Sequence, residues 1–109
     1  MKKSIAMKWV EALRSGKYKQ GTGELYNKEE NAYCCLGVLC AINGIFINEN
    51  NQSLIDEMED RKALDIQTNN GTLLSEDGMF NTSLDSLNDS GNYTFDEIAD
   101  IIQTIYKEL

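Results

Sequence analysis

The chain has 109 residues, 41% hydrophobic and 26% charged. That suits one domain with a single modest core and is too apolar for a disordered chain. Its formal charge of −8 is uneven: residues 1–28 carry seven Lys or Arg against two Glu, a balance of +5, which leaves −13 for the rest. An acidic body disfavours direct nucleic-acid binding, while a local basic segment can still collect a compact anion.

In chain order, Ile5, Ala6, Trp9, Val10 and Leu13 recur at helical spacing, with Ser4 as a candidate N-cap and Ser15-Gly16 as the stop. Lys8, Glu11 and Arg14 fall on the opposite face. The segment from Gly16 to Gly23 has three glycines and no apolar period, so it reads as a loop. Glu24-Leu25-Tyr26 and Ala32-Tyr33-Cys34 flank a polar turn and suggest a hairpin. The apolar run from Cys35 to Ile42 reads as a buried helix ending at Asn43-Gly44. Gly37, Asn43 and Gly44 interrupt the longest apolar stretch, Cys34 to Ile47, well short of a membrane span.

Further on, Ser53 is a candidate cap for a polar helix from Leu54 to about Leu64. Thr72-Leu73-Leu74 and Met79-Phe80 suggest two strands of a small sheet. Ser83 to Asn88 reads as a helical turn with Leu84 and Leu87 inward, stopped by Asp89-Ser90-Gly91. Thr94-Phe95-Asp96-Glu97 has the form of a capping box, and Ile98, Ile101, Ile102 and Ile105 form an apolar stripe behind it. The expected fold is a single α+β domain over residues 1–109. It has amphipathic N- and C-terminal helices, a central buried helix and a small antiparallel sheet.

The chain lacks histidine, and with it the usual proton shuttle at neutral pH and the commonest metal ligand. Carboxylate pairs such as Asp56/Asp60 and Asp96/Asp100 stand at i,i+4, a spacing that solvated acidic helix faces also produce. Cys34, Cys35 and Cys40 fall short of the four ligands a structural zinc site takes, so they read better as small buried apolar groups. An odd count with two adjacent thiols is a poor disulfide framework and points to a reducing, cytoplasmic setting. Lys8, Glu11 and Arg14 interrupt any signal-peptide core behind the basic start. These readings predict a binding protein rather than an enzyme, with no catalytic residue, metal or cofactor.

The loop after the first helix is the most informative segment. Arg14, Lys17, Lys19 and Gln20 offer donors, Tyr18 offers a stacking face, and the glycines leave backbone N–H groups accessible, a mixture that suits a phosphate and a base. The alternative is a solvated basic helix end, favourable to the C-terminal dipole. Tyr33 and the corner Asn88-Asp89 complete the candidate set, the corner reading equally as a helix-end turn.

Four blocks, Lys8 to Gln20, Tyr33 to Cys40, Ser83 to Asp89 and Phe95 to Ile102, resemble a family of small bacteriophage and prophage proteins. The stretch from Asn48 to Phe80 departs from that pattern in lacking a proline-containing helix start. The resemblance implies a phage accessory protein acting in the host cytoplasm and brings no catalytic residues. By analogy with small phage proteins that counter host immunity, it suggests an oligomeric sponge for a nucleotide messenger of the cyclic or ADP-ribose type. The rival readings are an acidic inhibitor that binds a host protein by imitating nucleic acid, and an enzyme that degrades a nucleotide with acidic residues.

Overall fold

A computed structural model describes residues 1–45, 72–74 and 81–109. Helix α1 spans Lys3–Arg14. It is followed by the short strands β1 (Lys19–Gln20), β2 (Tyr26–Asn27) and β3 (Ala32–Tyr33), then helix α2 (Cys35–Ile42). After the undescribed stretch come β4 (Thr72–Leu74), β5 (Asn81–Ser83), α3 (Leu84–Asp89), α4 (Phe95–Ile105) and a closing 3₁₀ turn, Tyr106–Glu108. The expected polar helix at 54–64 and the expected strand at Met79-Phe80 lie outside the described residues.

The α+β class holds. Helix α1 buries Ala6, Trp9, Val10 and Leu13, and α4 buries Phe95, Ile98, Ala99 and Ile102. These two stripes pack against each other, and α2, whose residues from Cys35 to Cys40 are all buried, packs against α1 and α3. Trp9 is anchored at its polar end as well, its Nε1–H donating to the Cys35 carbonyl at 2.9 Å, as a buried indole requires. Along α4, Ile101 and Ile105 are only half-buried, so the inward face is centred on Ile98 and Ile102.

Three local differences from the sequence reading have physical causes. Helix α1 begins one residue before Ser4, with Lys2 in the cap position and no side-chain cap. The segment taken for a loop contains β1, because β3 offers it a partner: Lys19 and Gln20 pair in parallel with Ala32 and Tyr33. The hairpin of β2 and β3 is antiparallel, with Tyr26 opposite Tyr33, so the three-stranded sheet is mixed, in the order β1-β3-β2. A parallel partner must arrive by a crossover, which no pattern in a two-residue strand announces. The β4–β5 pair is antiparallel, with Leu73 opposite Thr82.

Gly37 is the position where a close approach demands glycine. A Cβ built there would lie 1.9 Å from the Leu25 carbonyl oxygen, so the segment leading into β2 rests directly on the backbone of α2. The same carbonyl accepts from the Cys34 N–H at 3.2 Å, which ties the start of α2 to the sheet.

Candidate functional site

Tyr18, Tyr26 and Tyr33 form one half-buried aromatic cluster on the sheet. The Tyr33 ring stands edge-on to Tyr18, with centroids 5.3 Å apart, and lies tilted against Tyr26 at 4.6 Å, both within the range of favourable ring contacts. Pairing of Tyr26 with Tyr33 across the antiparallel hairpin puts their side chains on one face of the sheet. The Tyr26 hydroxyl donates to Asn31 Oδ1 at 2.9 Å, while the hydroxyls of Tyr18 and Tyr33 have no partner among the described residues. Burial, and after it the Tyr26 and Tyr18 phenols, push the Tyr33 pKa up. At neutral pH Tyr33 therefore acts as an uncharged ring with a hydroxyl donor.

A second cluster forms around Asn88, which is completely buried at the end of α3. Its Oδ1 accepts from Gln20 Nε2 at 3.0 Å, and its Nδ2 donates to the Gly21 carbonyl at 2.7 Å and to Asp89 Oδ1 at 3.3 Å. Gln20 Nε2 also donates to the Tyr93 carbonyl at 2.8 Å, and Gln20 Oε1 accepts from the Phe95 N–H at 3.1 Å. Asp89 Oδ1 accepts from the Gly23 N–H at 2.9 Å. The amide groups of Gln20 and Asn88 thus have their donors and acceptors engaged inside the fold. Together they tie β1 and the glycine-bearing turn behind it to α3 and to the first turn of α4.

The candidate residues therefore divide. Tyr18 and Tyr33 come together with Tyr26, while Gln20, Asn88 and Asp89 come together as a latch. Arg14 is drawn away to an exposed ion pair with Asp100 on α4. Lys17 and Lys19 are exposed on either side of Tyr18 and form no ion pair with the described residues. Sequence reasoning passed over Tyr26. Its signal was present in the predicted hairpin, where register across the turn sets it opposite Tyr33.

All three cysteines are buried. Cys34 caps α2, its Sγ accepting from the Gly37 N–H at 3.4 Å, and Cys35 Sγ donates to the Leu84 carbonyl at 3.4 Å. Burial pushes the Cys34 thiol up to about 11, against partial relief from the Gly37 and Leu36 N–H groups, and burial likewise raises Cys35 well above its ordinary value. Neither thiol is an activated nucleophile. Among the described residues no group of three or more His, Cys, Asp or Glu stands close enough to hold a metal ion, and no helix is long and apolar enough to cross a membrane.

A family model described as Domain of unknown function (DUF8296) matches residues 1–74, two thirds of the chain. The chain belongs to that family. No curated protein and no solved structure matches it. The DUF8296 match takes in α1, the mixed sheet with its three tyrosines, α2 and β4. Asn88, Asp89 and α4, which hold that sheet in place, lie beyond it.

Proposed function

We propose that this DUF8296 protein is a non-enzymatic phage accessory protein that binds and sequesters a nucleotide signal. The observation that carries the reading is the cluster of three half-buried tyrosines on the sheet. Tyr33, held by its contacts with Tyr18 and Tyr26, belongs to a pre-ordered aromatic surface against which a base can stack, and each stacked base contributes about 1–3 kcal/mol in known single-strand binders. Lys17 and Lys19, exposed neighbours of Tyr18 in the chain, are the cations of this segment, and the hydroxyls of Tyr18 and Tyr33, without a partner among the described residues, supply donors. High-pKa thiols and the lack of histidine agree with binding rather than turnover.

Calorimetric titration with cyclic dinucleotides and cyclic ADP-ribose-type compounds tests the reading. Saturable binding by at least one of them, weakened tenfold or more by Tyr33→Leu and with the ligand mass unchanged after incubation, is the expected result. No heat from any compound, with a folded sample, refutes it. Light scattering on free and ligand-bound protein tests the accompanying expectation of a homo-oligomer.

The rival reading, mimicry of nucleic acid by acidic residues, draws less from the described surface. Of the four exposed carboxylates on α3 and α4, Asp89 accepts from Gly23, Glu97 closes the capping box with Thr94 and Asp100 pairs with Arg14, which leaves Asp96 without a partner among the described residues. A mimic would present such groups unengaged to its basic partner.

A further inference from the structure

The tyrosine cluster is built in two halves that depend on different parts of the chain. The Tyr26–Tyr33 half is local. Antiparallel pairing sets the two residues opposite each other, and Asn27 Oδ1 closes the turn between their strands by accepting from the Glu29 and Glu30 N–H groups at 3.0 and 3.1 Å. The Tyr26 hydroxyl bonds Asn31 in the same turn, and the Cys34 N–H reaches the Leu25 carbonyl just beyond the pair. Tyr18 is held differently. It precedes β1, which joins β3 through a two-residue parallel pairing and the bond from the Gly21 N–H to the Tyr33 carbonyl at 2.7 Å. So short a ladder fixes a strand only weakly by itself.

The second hold on β1 comes from the latch. Gln20 lies opposite Tyr33 and Tyr33 opposite Tyr26, so the three side chains form one row on one face of the sheet. From the β1 end of that row the Gln20 amide reaches Asn88 Oδ1, the Tyr93 carbonyl and the Phe95 N–H, at 3.0, 2.8 and 3.1 Å. Asn88, fully buried, also takes the neighbouring Gly21 carbonyl at 2.7 Å, so it grips two successive residues of this segment. We infer that Gln20 and Asn88 are positioning residues of the tyrosine site: they fix β1 and so hold the Tyr18 ring edge-on against Tyr33, while the Tyr26–Tyr33 pair stands without them. Taken with the nucleotide-binding reading, on which this consequence rests, release of Tyr18 removes one of the three rings from the stacking surface and weakens base contact.

Two measurements on the full chain test this: ring-to-ring nuclear Overhauser contacts with ring-labelled tyrosine, and calorimetric titration with cyclic dinucleotides and cyclic ADP-ribose-type compounds. Gln20→Met removes the amide and keeps the length of the side chain. It should lose the Tyr18–Tyr33 contacts and keep the Tyr26–Tyr33 contacts. Whichever of the compounds wild type binds, the variant should bind about fivefold or more weakly, the lower end of what one stacking contact contributes. Gln20→Glu, which keeps the acceptor for the Phe95 N–H and loses both donors, takes its place if Gln20→Met does not fold. Survival of both ring contacts, loss of both together, or unfolding of both variants overturns the positioning role, because the latch is then either dispensable or a general clamp. Selective loss of the Tyr18 contact with unaltered affinity overturns its part in binding. The same selective loss in a protein whose wild type binds none of the compounds leaves the positioning of Tyr18 standing and overturns the nucleotide reading.

Discussion

Replacing Asn88 by alanine removes the centre of the latch that joins the two ends of the chain. The residue is fully buried, and its amide makes bonds of 3.0, 2.7 and 3.3 Å to Gln20, Gly21 and Asp89. Two of the partners have second bonds to fall back on, Gln20 with the Tyr93 carbonyl and Asp89 with the Gly23 N–H. The Gly21 carbonyl loses its amide donor. A half-buried acceptor so deprived costs about 1 kcal/mol or somewhat more, and each of the other two bonds contributes about 0.5–1.5 kcal/mol. Allowing for their partial rescue, Asn88→Ala should destabilise by about 2–4 kcal/mol, which at roughly 4 °C per kcal/mol is a fall in melting temperature of about 8–16 °C. Urea unfolding followed by circular dichroism measures the first quantity and a thermal scan the second. Asn88→Asp is the sharper contrast: it keeps the shape and one acceptor but turns a carboxylate oxygen towards the Gly21 carbonyl and Asp89. It should be at least as destabilising at pH 7 and recover part of the loss on acidification, as the new carboxyl protonates. A change of less than about 0.5 kcal/mol in Asn88→Ala would refute the latch as a source of stability.

Two further perturbations probe the seam between sheet and helices. Gly37→Ala sets a methyl group 1.9 Å from the Leu25 carbonyl oxygen. The clash is with backbone, so the segment before β2 must move; the loss should reach about 3 kcal/mol, the upper part of the overpacking range, and a variant as stable as wild type in urea would show that the contact is loose. The Cys34 thiol, raised by burial from 9.0 to about 11, makes stability depend on alkaline pH. Below pH 9 both folded and unfolded chains keep the proton; between pH 9 and 11 the unfolded chain loses it and the folded chain does not, so stability falls as pH rises. From pH 8 to 10.5 this amounts to about 2 kcal/mol, and wild type should lose that much more than Cys34→Ser over the same interval in paired urea curves; equal losses would contradict the assignment.

The helices were legible because each satisfies several local rules at once. In α4 the capping box forms as expected, Thr94 Oγ1 accepting from the Glu97 N–H and Glu97 Oε1 accepting from the Thr94 N–H, ahead of an apolar stripe of helical period. The bounds of α2 follow from an uninterrupted apolar run closed by Asn43-Gly44. Strand β1 was not legible, since two residues among glycines carry no alternation, and only the arrival of β3 gives them a ladder. At the candidate site the residue types were legible and their division of labour was not. Gln20 and Asn88 have the same donors and acceptors whether they hold a ligand or each other, and 68 positions separate them in the chain. Which use prevails is decided by tertiary placement.

That placement bears on what the family's matched region needs in order to work. Residues 1–74 contain the tyrosines and lysines of the proposed site, but the buried stripe of α1 packs against α4, and Leu84 and Ile98 join Trp9 among the fully buried side chains. Gln20 lies directly beside Lys19 and two residues from Tyr18, and its amide is held by Asn88, Tyr93 and the first N–H of α4. The strand that presents the basic and aromatic groups is therefore oriented by a segment outside the matched region. The last two helices thus have a physical role in this arrangement: the apolar faces of α3 and α4, through Leu84, Phe95, Ile98 and Ile102, complete the core that supports the sheet.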